Sequence, residues 1–384
     1  MQRRDGSIFD AVTQRRGSDS AKWTRYAGGG DVIPAWVADM DFASPPAVLE
    51  ALHARVDHGV FGYAAPPPEL VAIMLERFER SYGWSIDPSW IVTQPGVVPG
   101  LYLACQCAGE PGDDVITPVP AYHHFLSAPG HAGRNLVTSP GRRDGVRWDL
   151  DLDRLADTVT DRTRALLLCN PYNPVGRVLA RDELETLAAL CIERDLMICS
   201  DEIHCDLLLD RDKPHVPIAS LGPEVAARSI TLFSPSKSFN LPGIGGFSIA
   251  IIPDPGLRRR YSERSHGVSV HPGALAYHAA LVACRDCGDW LEALVAYLAA
   301  NRDWLEEQVD ALPGVSMCHV EGTYLAWLDF GRSGLSRPFD TLLANGLALT
   351  DGADLGDPSH LRLNFGCPRA TLEEIVARLR KSLP

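Results

Sequence analysis

Ser234-Pro-Ser-Lys-Ser-Phe-Asn-Leu-Pro-Gly-Ile244 is the stretch on which the fold of this 384-residue chain turns, and its centre is Lys237. Lysines are scarce in the chain: Lys22, Lys213, Lys237 and Lys381 stand against many arginines. Arginine could not do what this position invites. A guanidinium stays protonated, whereas an amine in a partly desolvated pocket can lose its proton, attack a carbonyl and form a Schiff base. Ser234 and Ser236 add hydroxyls beside it, a setting that suits a phosphate-bearing aldehyde. An isolated S-x-S-K is also an ordinary Ser-rich turn, so the flanking chain has to decide.

Working outward, the stretch follows an apolar run, Ser229 to Phe233, and that run is one of seven. The others are Ile91 to Thr93, Asp114 to Thr117, Arg134 to Val137, Ala165 to Cys169, Met197 to Ser200 and Gly246 to Ile252. Helix-length segments separate them, including about 98 to 108, 151 to 158 and 182 to 194. This alternation predicts an α/β fold with a seven-stranded, mostly parallel sheet covered by helices. In open sheets of this kind ligands sit beyond the carboxyl ends of the strands. Residues just after each run are therefore the candidates for chemistry.

Those residues form a series. The first run is followed by Gln94-Pro-Gly-Val-Val98, a glycine turn into a helix whose N–H groups can hold an anion. Tyr122 follows the second, a flat ring able to stack on a heteroaromatic group. Asn170-Pro-Tyr-Asn-Pro-Val-Gly176 follows the fourth, with side-chain amides held on an irregular turn. Asp201-Glu-Ile-His204 follows the fifth, and a carboxylate ending a buried strand needs a cationic partner. The protonated pyridine nitrogen of pyridoxal 5′-phosphate would be such a partner, and Lys237, after the sixth run, would take its aldehyde.

The ends of the chain read differently. Residues 1–45 suggest an extended arm containing Trp36-Val-Ala-Asp-Met-Asp-Phe42, followed by a helix capped by Ser44. The turn-rich loop Gly59 to Pro68 exposes Tyr63, and an amphipathic helix from Glu69 to about Tyr82 comes next. We expect a large domain over 46–275 and a smaller α+β domain over 276–384. The latter should hold a helical stretch from about Ala274 to Leu312 broken near Asp286 to Gly288, strands at Val315 to Val320, Thr323 to Asp329 and His360 to Asn364, and a last helix from Thr371.

Composition narrows the function classes. A hydrophobic content of 46% supports a real core, and a formal charge of −13 argues against nucleic acid or an anionic membrane face as partner. No apolar run reaches the roughly 20 residues of a bilayer span, and the polar start lacks a signal-peptide pattern, so the expected location is the cytoplasm. Ten scattered cysteines read as free thiols; the lone Cys284-Arg-Asp-Cys287 lacks a second pair, so no metal site is expected.

Together the motifs Trp36-Val-Ala-Asp-Met-Asp-Phe42, Gly62-Tyr63, Pro95-Gly-Val-Val98, Leu168-Cys-Asn-Pro-Tyr-Asn-Pro-Val-Gly-Arg177, Ser200-Asp-Glu-Ile-His204, Ser234 to Asn240, Glu321-Gly-Thr-Tyr-Leu325 and Arg362-Leu-Asn-Phe-Gly-Cys-Pro368 make a pattern over nearly the whole chain. The chain resembles the fold-type I, aspartate aminotransferase-like pyridoxal-phosphate enzymes, in particular their cystathionine β-lyase or C–S lyase branch. The resemblance implies that Lys237 is the Schiff-base lysine and later the proton carrier at Cα, with Asp201 paired to the pyridine nitrogen. It implies that Asn173 bonds the phenolic oxygen, that Tyr122 stacks on the ring and that His204 contacts the cofactor. The phosphate would be held by Gly96, Val97, Val98, Ser234 and Ser236, with Tyr63 reaching it from the second subunit of a homodimer. Arg362, with Asn173, would bind an amino-acid substrate at its α-carboxylate.

Some positions depart from the wider family. Many class I aminotransferases carry a tyrosine three residues after the aspartate and an arginine eight after the lysine, where this chain has His204 and Gly245. Both fit the lyase branch, within which Tyr172 stands where histidine is frequent, and Ala121 and His123 lie in a variable stretch. Gly243-Ile-Gly-Gly246 lacks the spacing of a dinucleotide motif. The leading expectation is α,β-elimination from a cysteine thioether such as L-cystathionine, giving a thiol, pyruvate and ammonia. Transamination, decarboxylating deamination of a cysteine S-conjugate, and a regulatory role binding a transcription factor stay open at this level.

Overall fold

The computed structural model describes residues 8–244 and 246–384. Gly245 and the first seven residues of the expected N-terminal arm lie outside the described residues.

All seven apolar runs are strands of one sheet: β1 (Ile91–Gln94), β2 (Asp114–Val119), β3 (Asn135–Pro140), β4 (Thr163–Cys169), β5 (Met197–Asp201), β6 (Ser229–Phe233) and β7 (Ser248–Ile251). Their order across the sheet is β1-β7-β6-β5-β4-β2-β3. Only β7 is antiparallel, to both β6 and β1; every other pairing is parallel. Strands β2 and β6 are buried at every residue, which is why these segments read as continuous apolar runs rather than alternating ones. Because β1 and β6 both oppose β7, strands β1, β2, β4, β5 and β6 run the same way and end on one edge. The segments that follow them are thus delivered to one place.

The C-terminal part carries a four-stranded antiparallel sheet: β8 (Ser316–Met317), β9 (Leu325–Asp329), β10 (Thr350–Asp351) and β11 (His360–Asn364), in the order β8-β9-β11-β10. Helices Ala274–Asp286 and Gly288–Asp310 occupy the expected helical stretch, broken at Cys287, and Arg369–Lys381 closes the chain. The expected strands from Val315 and Thr323 shorten to β8 and β9. Helix Pro338–Ala344 and β10 had no expectation attached to them.

The arm is held in two ways. Ile33–Pro34 pairs in parallel with Leu347–Ala348, and Phe9, Met40 and Phe42 share a core with Leu294, Leu298, Leu325, Leu363 and Ile375. One expectation changes here. Ser44 does not cap the next helix; Pro46–Asp57 starts without a side-chain cap, its first turn preset by Pro46, and the Ser44 hydroxyl donates instead to the Asn240 carbonyl at 3.0 Å. No helix among the described residues is long and apolar enough to cross a membrane.

Candidate active site

A cavity of about 620 Å³ opens at the shared strand edge. Its lining includes Gly96, Val97, Val98, Tyr122, Asn173, Asp201, His204, Ser234, Ser236, Lys237 and Arg362, so eleven of the twelve expected site positions, all but Tyr63, meet in one place. Tyr63 is fully exposed on the 59–67 loop and lines a separate surface hollow of the same chain with Arg55 and His278.

Lys237 comes from the turn after β6. Its half-buried ammonium donates to the Ala38 carbonyl, which also accepts from the Tyr324 hydroxyl at 2.9 Å. Burial lowers the amine to about 8, with Arg362 acting in the same sense and Asp39 and Asp201 opposing. The next residue, Ser238, is buried and donates to Asp206, itself paired with Arg77. The turn that aims the lysine is thus anchored on an internal ion pair.

Asp201 ends β5. Its Oδ1 accepts from the Ile203 N–H at 3.1 Å, and among the described residues it has no ion-pair partner. Burial pushes this carboxyl up to about 7, against the Ile203 bond and the charge of Lys237. His204 is buried with Nδ1 unpartnered, and burial, with Lys237 and Arg362, pulls it down to about 3. Its ring is therefore neutral.

Arg362 lies in β11, between β9 and β10, and is only 4% exposed rather than a strand-edge surface charge. It donates to Asn173 Oδ1 at 2.9 Å, to the Trp36 carbonyl at 2.8 Å and to Thr350 Oγ1 at 3.2 Å, leaving Nε unpartnered. The bond to Asn173 fixes that amide with its NH₂ group free to donate elsewhere. Both Asn–Pro bonds of the turn are cis, and Asn170 turns inward, its Oδ1 accepting from the Leu179 N–H at 3.0 Å.

Gly96 precedes helix Val97–Cys107, whose first-turn N–H groups have no acceptor within the helix. The chain returning from the lysine turn passes tightly over this loop: Gly246 has φ +67°, and a Cβ there would run into the Pro95 carbonyl. The Ser234 hydroxyl donates to the Phe247 carbonyl at 2.6 Å and sits 2.9 Å from Ser236 Oγ, so Ser236 is the freer of the two. Tyr122 is half-buried, its phenol raised by burial, and its ring lies 4.4 Å from that of His123, which lines the cavity too.

Tyr172 is elsewhere. It is buried, donates to the Pro118 carbonyl at 2.8 Å and packs on Trp148. All ten cysteines are free, and the described residues hold no cluster of three or more His, Cys, Asp or Glu able to bind a metal ion.

The model of the family "Aminotransferase class I and II" matches residues 36–379. The chain belongs to this family. It is 36% identical to cystathionine beta-lyase PatB of Bacillus subtilis (strain 168), with 98% of this chain and 99% of PatB covered. Among solved structures, that of OvoB is 43% identical with a TM-score of 0.95, covering 98% of both chains. The crystal structure of cystalysin from Treponema denticola, which contains a pyridoxal 5′-phosphate cofactor, is 29% identical with a TM-score of 0.93, covering 97% of this chain and 98% of that one.

The cofactor of this chain is pyridoxal 5′-phosphate, and the cavity suits it. Its volume falls within the roughly 300–1,000 Å³ usual for such ligands. A buried carboxyl with no ion-pair partner among the described residues, a neutral imidazole with an orphaned nitrogen, an orphaned guanidinium Nε and a helix start with free N–H groups all line one space.

Several contributors were missed by sequence reading: Trp36 and Ala38 through their carbonyls, Tyr324 through its hydroxyl, and Thr350 and Asp206 through their support of neighbours. Trp36, Ala38 and Tyr324 sit inside quoted motifs, but a backbone carbonyl leaves no mark in residue type.

Proposed function

We infer that the protein is a pyridoxal-phosphate-dependent carbon–sulfur lyase acting on L-cystathionine or another S-substituted L-cysteine to release a thiol, pyruvate and ammonia. The observation that carries this reading is the meeting of Lys237, Asp201, Asn173 and Arg362 in one cavity, with the lysine lowered to about 8 and the aspartate in no ion pair among the described residues. Full-length similarity to PatB supports it as well.

The arrangement of the side chains supports the role that the family resemblance implies for each. Arg362 binds the substrate α-carboxylate through its free Nε, while its bonds to Asn173, Trp36 and Thr350 hold the guanidinium plane. Asn173 would donate its amide to the cofactor's phenolic oxygen, and Asp201 would accept from the protonated pyridine nitrogen. Val97, Val98, Gly96, Ser236 and Ser234 would cradle the phosphate at the helix start. Tyr122 would stack on the ring, and the neutral His204 would contact the cofactor. Bound there, pyridoxal 5′-phosphate supplies an electron sink for the charge left at Cα when its proton departs. Lys237 takes that proton as general base, a task its lowered basicity suits near neutral pH.

The working unit in this reading is a homodimer in which Tyr63 of the second subunit completes the phosphate site. The full exposure of Tyr63, with Val60, Phe61, Val268 and Val270 also exposed, supports this. We also place the domain boundaries near residues 45 and 275 and the protein in the cytoplasm, the latter on its ten free thiols.

The experiment is to mix cofactor-loaded protein with L-cystathionine and a panel of S-substituted cysteines. Free thiol, pyruvate and the cofactor spectrum are followed together. Thiol and pyruvate in equal amounts are expected. Conversion of the cofactor to its amine form without thiol would overturn the reading.

A further inference from the structure

The mouth of the cavity holds a charge that the roles above leave unused. Arg25 lines it, exposed, with its guanidinium carbon 4.5 Å from the centroid of Trp36 and 5.7 Å from that of Tyr26. Among the described residues it forms no ion pair. Its neighbours on the same arm all do: Arg15 and Lys22 bind Asp39 and Asp41, and Arg16 binds Asp31.

The platform beneath Arg25 is fixed. Trp36 Nε1 donates to the Lys22 carbonyl at 3.1 Å, and its own carbonyl accepts from Arg362 at 2.8 Å and from Thr350 at 2.6 Å. Trp36 therefore carries Arg362 on its backbone and Arg25 on its ring. A guanidinium laid on an indole is weakly hydrated and keeps its N–H fork free for a carboxylate. Asp354, the acidic residue of the cavity mouth, belongs to a different segment: it lies beside His123, where the Ala121 N–H donates to the Leu355 carbonyl at 2.8 Å.

We propose that Arg25 is a specificity-determining residue that binds a carboxylate on the sulfur substituent, so the substrate class is S-substituted cysteines with an acidic substituent. This rests on the lyase reading for the identity of the substrate, but the binding step can be measured separately.

The test compares S-carboxyethyl-L-cysteine, its isosteric amide S-carbamoylethyl-L-cysteine and S-aminoethyl-L-cysteine on the cofactor-loaded protein. Binding is read from the change in cofactor absorbance, and turnover from thiol and pyruvate. The wild type should favour the acid over the amide by about tenfold or more in Kd and kcat/KM, as a charge-assisted fork does. Arg25→Gln should bring that ratio close to one while handling the amide as the wild type does, and Arg25→Lys should restore part of the preference. Turnover with equal binding of acid and amide, or a preference for the aminoethyl compound, would overturn the proposal while leaving the lyase intact. A preference for the acid in binding without thiol release would support Arg25 and remove the lyase reading instead.

Discussion

Two groups of buried charges in this protein are built in opposite ways. Around Glu321, each charge has a partner of opposite sign: Arg177 donates to it at 3.0 Å and to Glu183 at 2.8 Å, Lys213 pairs with it, and the Val178 N–H caps its second oxygen at 2.7 Å. In the cavity, Lys237, Asp201, His204 and Arg362 are also shielded, yet among the described residues none of the four forms an ion pair. Desolvation moves the cavity groups strongly: the acid up to about 7, the amine down to about 8 and the imidazole down to about 3. Burial is common to both groups. What separates a structural charge cluster from a reactive one is whether the protein itself supplies the counter-charge.

Lys237→Ala puts the largest effect on this contrast. Loss of the general base should lower thiol production by about 10²–10⁴-fold. Thermal stability should stay the same or rise, because a desolvated ammonium is removed. A fall in both would place Lys237 among the structural charges. Glu321→Ala should do the reverse, lowering stability by about 3 kcal/mol in urea titration because buried cations lose their shared partner, with kcat retained. Loss of turnover at full stability would erase the distinction.

The intermediate predictions sharpen it. If the cavity sets the basicity of Lys237, cofactor-free protein should take up pyridoxal 5′-phosphate faster as pH rises towards about 8 and level off above it, since only the neutral amine reacts. A rise continuing towards the ordinary lysine value of about 10.4 would show that the amine is not desolvated. Tyr324→Phe removes one bond from the Ala38 carbonyl that also receives Lys237. A net hydrogen bond of about 1 kcal/mol corresponds to roughly fivefold in kcat, with KM unchanged because Arg362 and Asn173 are untouched. A change confined to KM would refute that positioning role.

The same contrast marks how far the sequence could be read. The sheet was legible because doubly buried strands leave unbroken apolar runs, and the site because each functional side chain follows one of them. Resemblance supplied what periodicity could not: Arg362 lies in a strand whose local pattern looks like an edge, and only the pairing of β11 between β9 and β10 buries it. The short elements Pro338–Ala344 and Thr350–Asp351 were invisible, too brief for a period to show. Ser44 was misassigned because a Ser before prolines reads as a cap, whereas its hydroxyl goes to Asn240, 196 residues away in sequence. Arg25 could not be singled out, since its neighbours on the arm are equally basic and only the fold separates the paired from the unpaired.

The smallest expected effect lies among the paired charges. His319 stands between Glu306 at 2.9 Å and Asp210 at 3.0 Å, and Asp210 also pairs with Arg302. The hydrogen bond to Glu306 and the two carboxylates raise the imidazole above its usual 6.5, against partial burial. A group raised on folding adds stability that is fully present below its unfolded value and is lost as pH rises through the folded one. The side chain is more than a third exposed, so solvent screening keeps the gain small. His319→Gln should therefore lower the melting temperature by about 1 °C at pH 6 and leave it unchanged at pH 9. An equal loss at both pH values would mean that His319 acts through packing rather than charge.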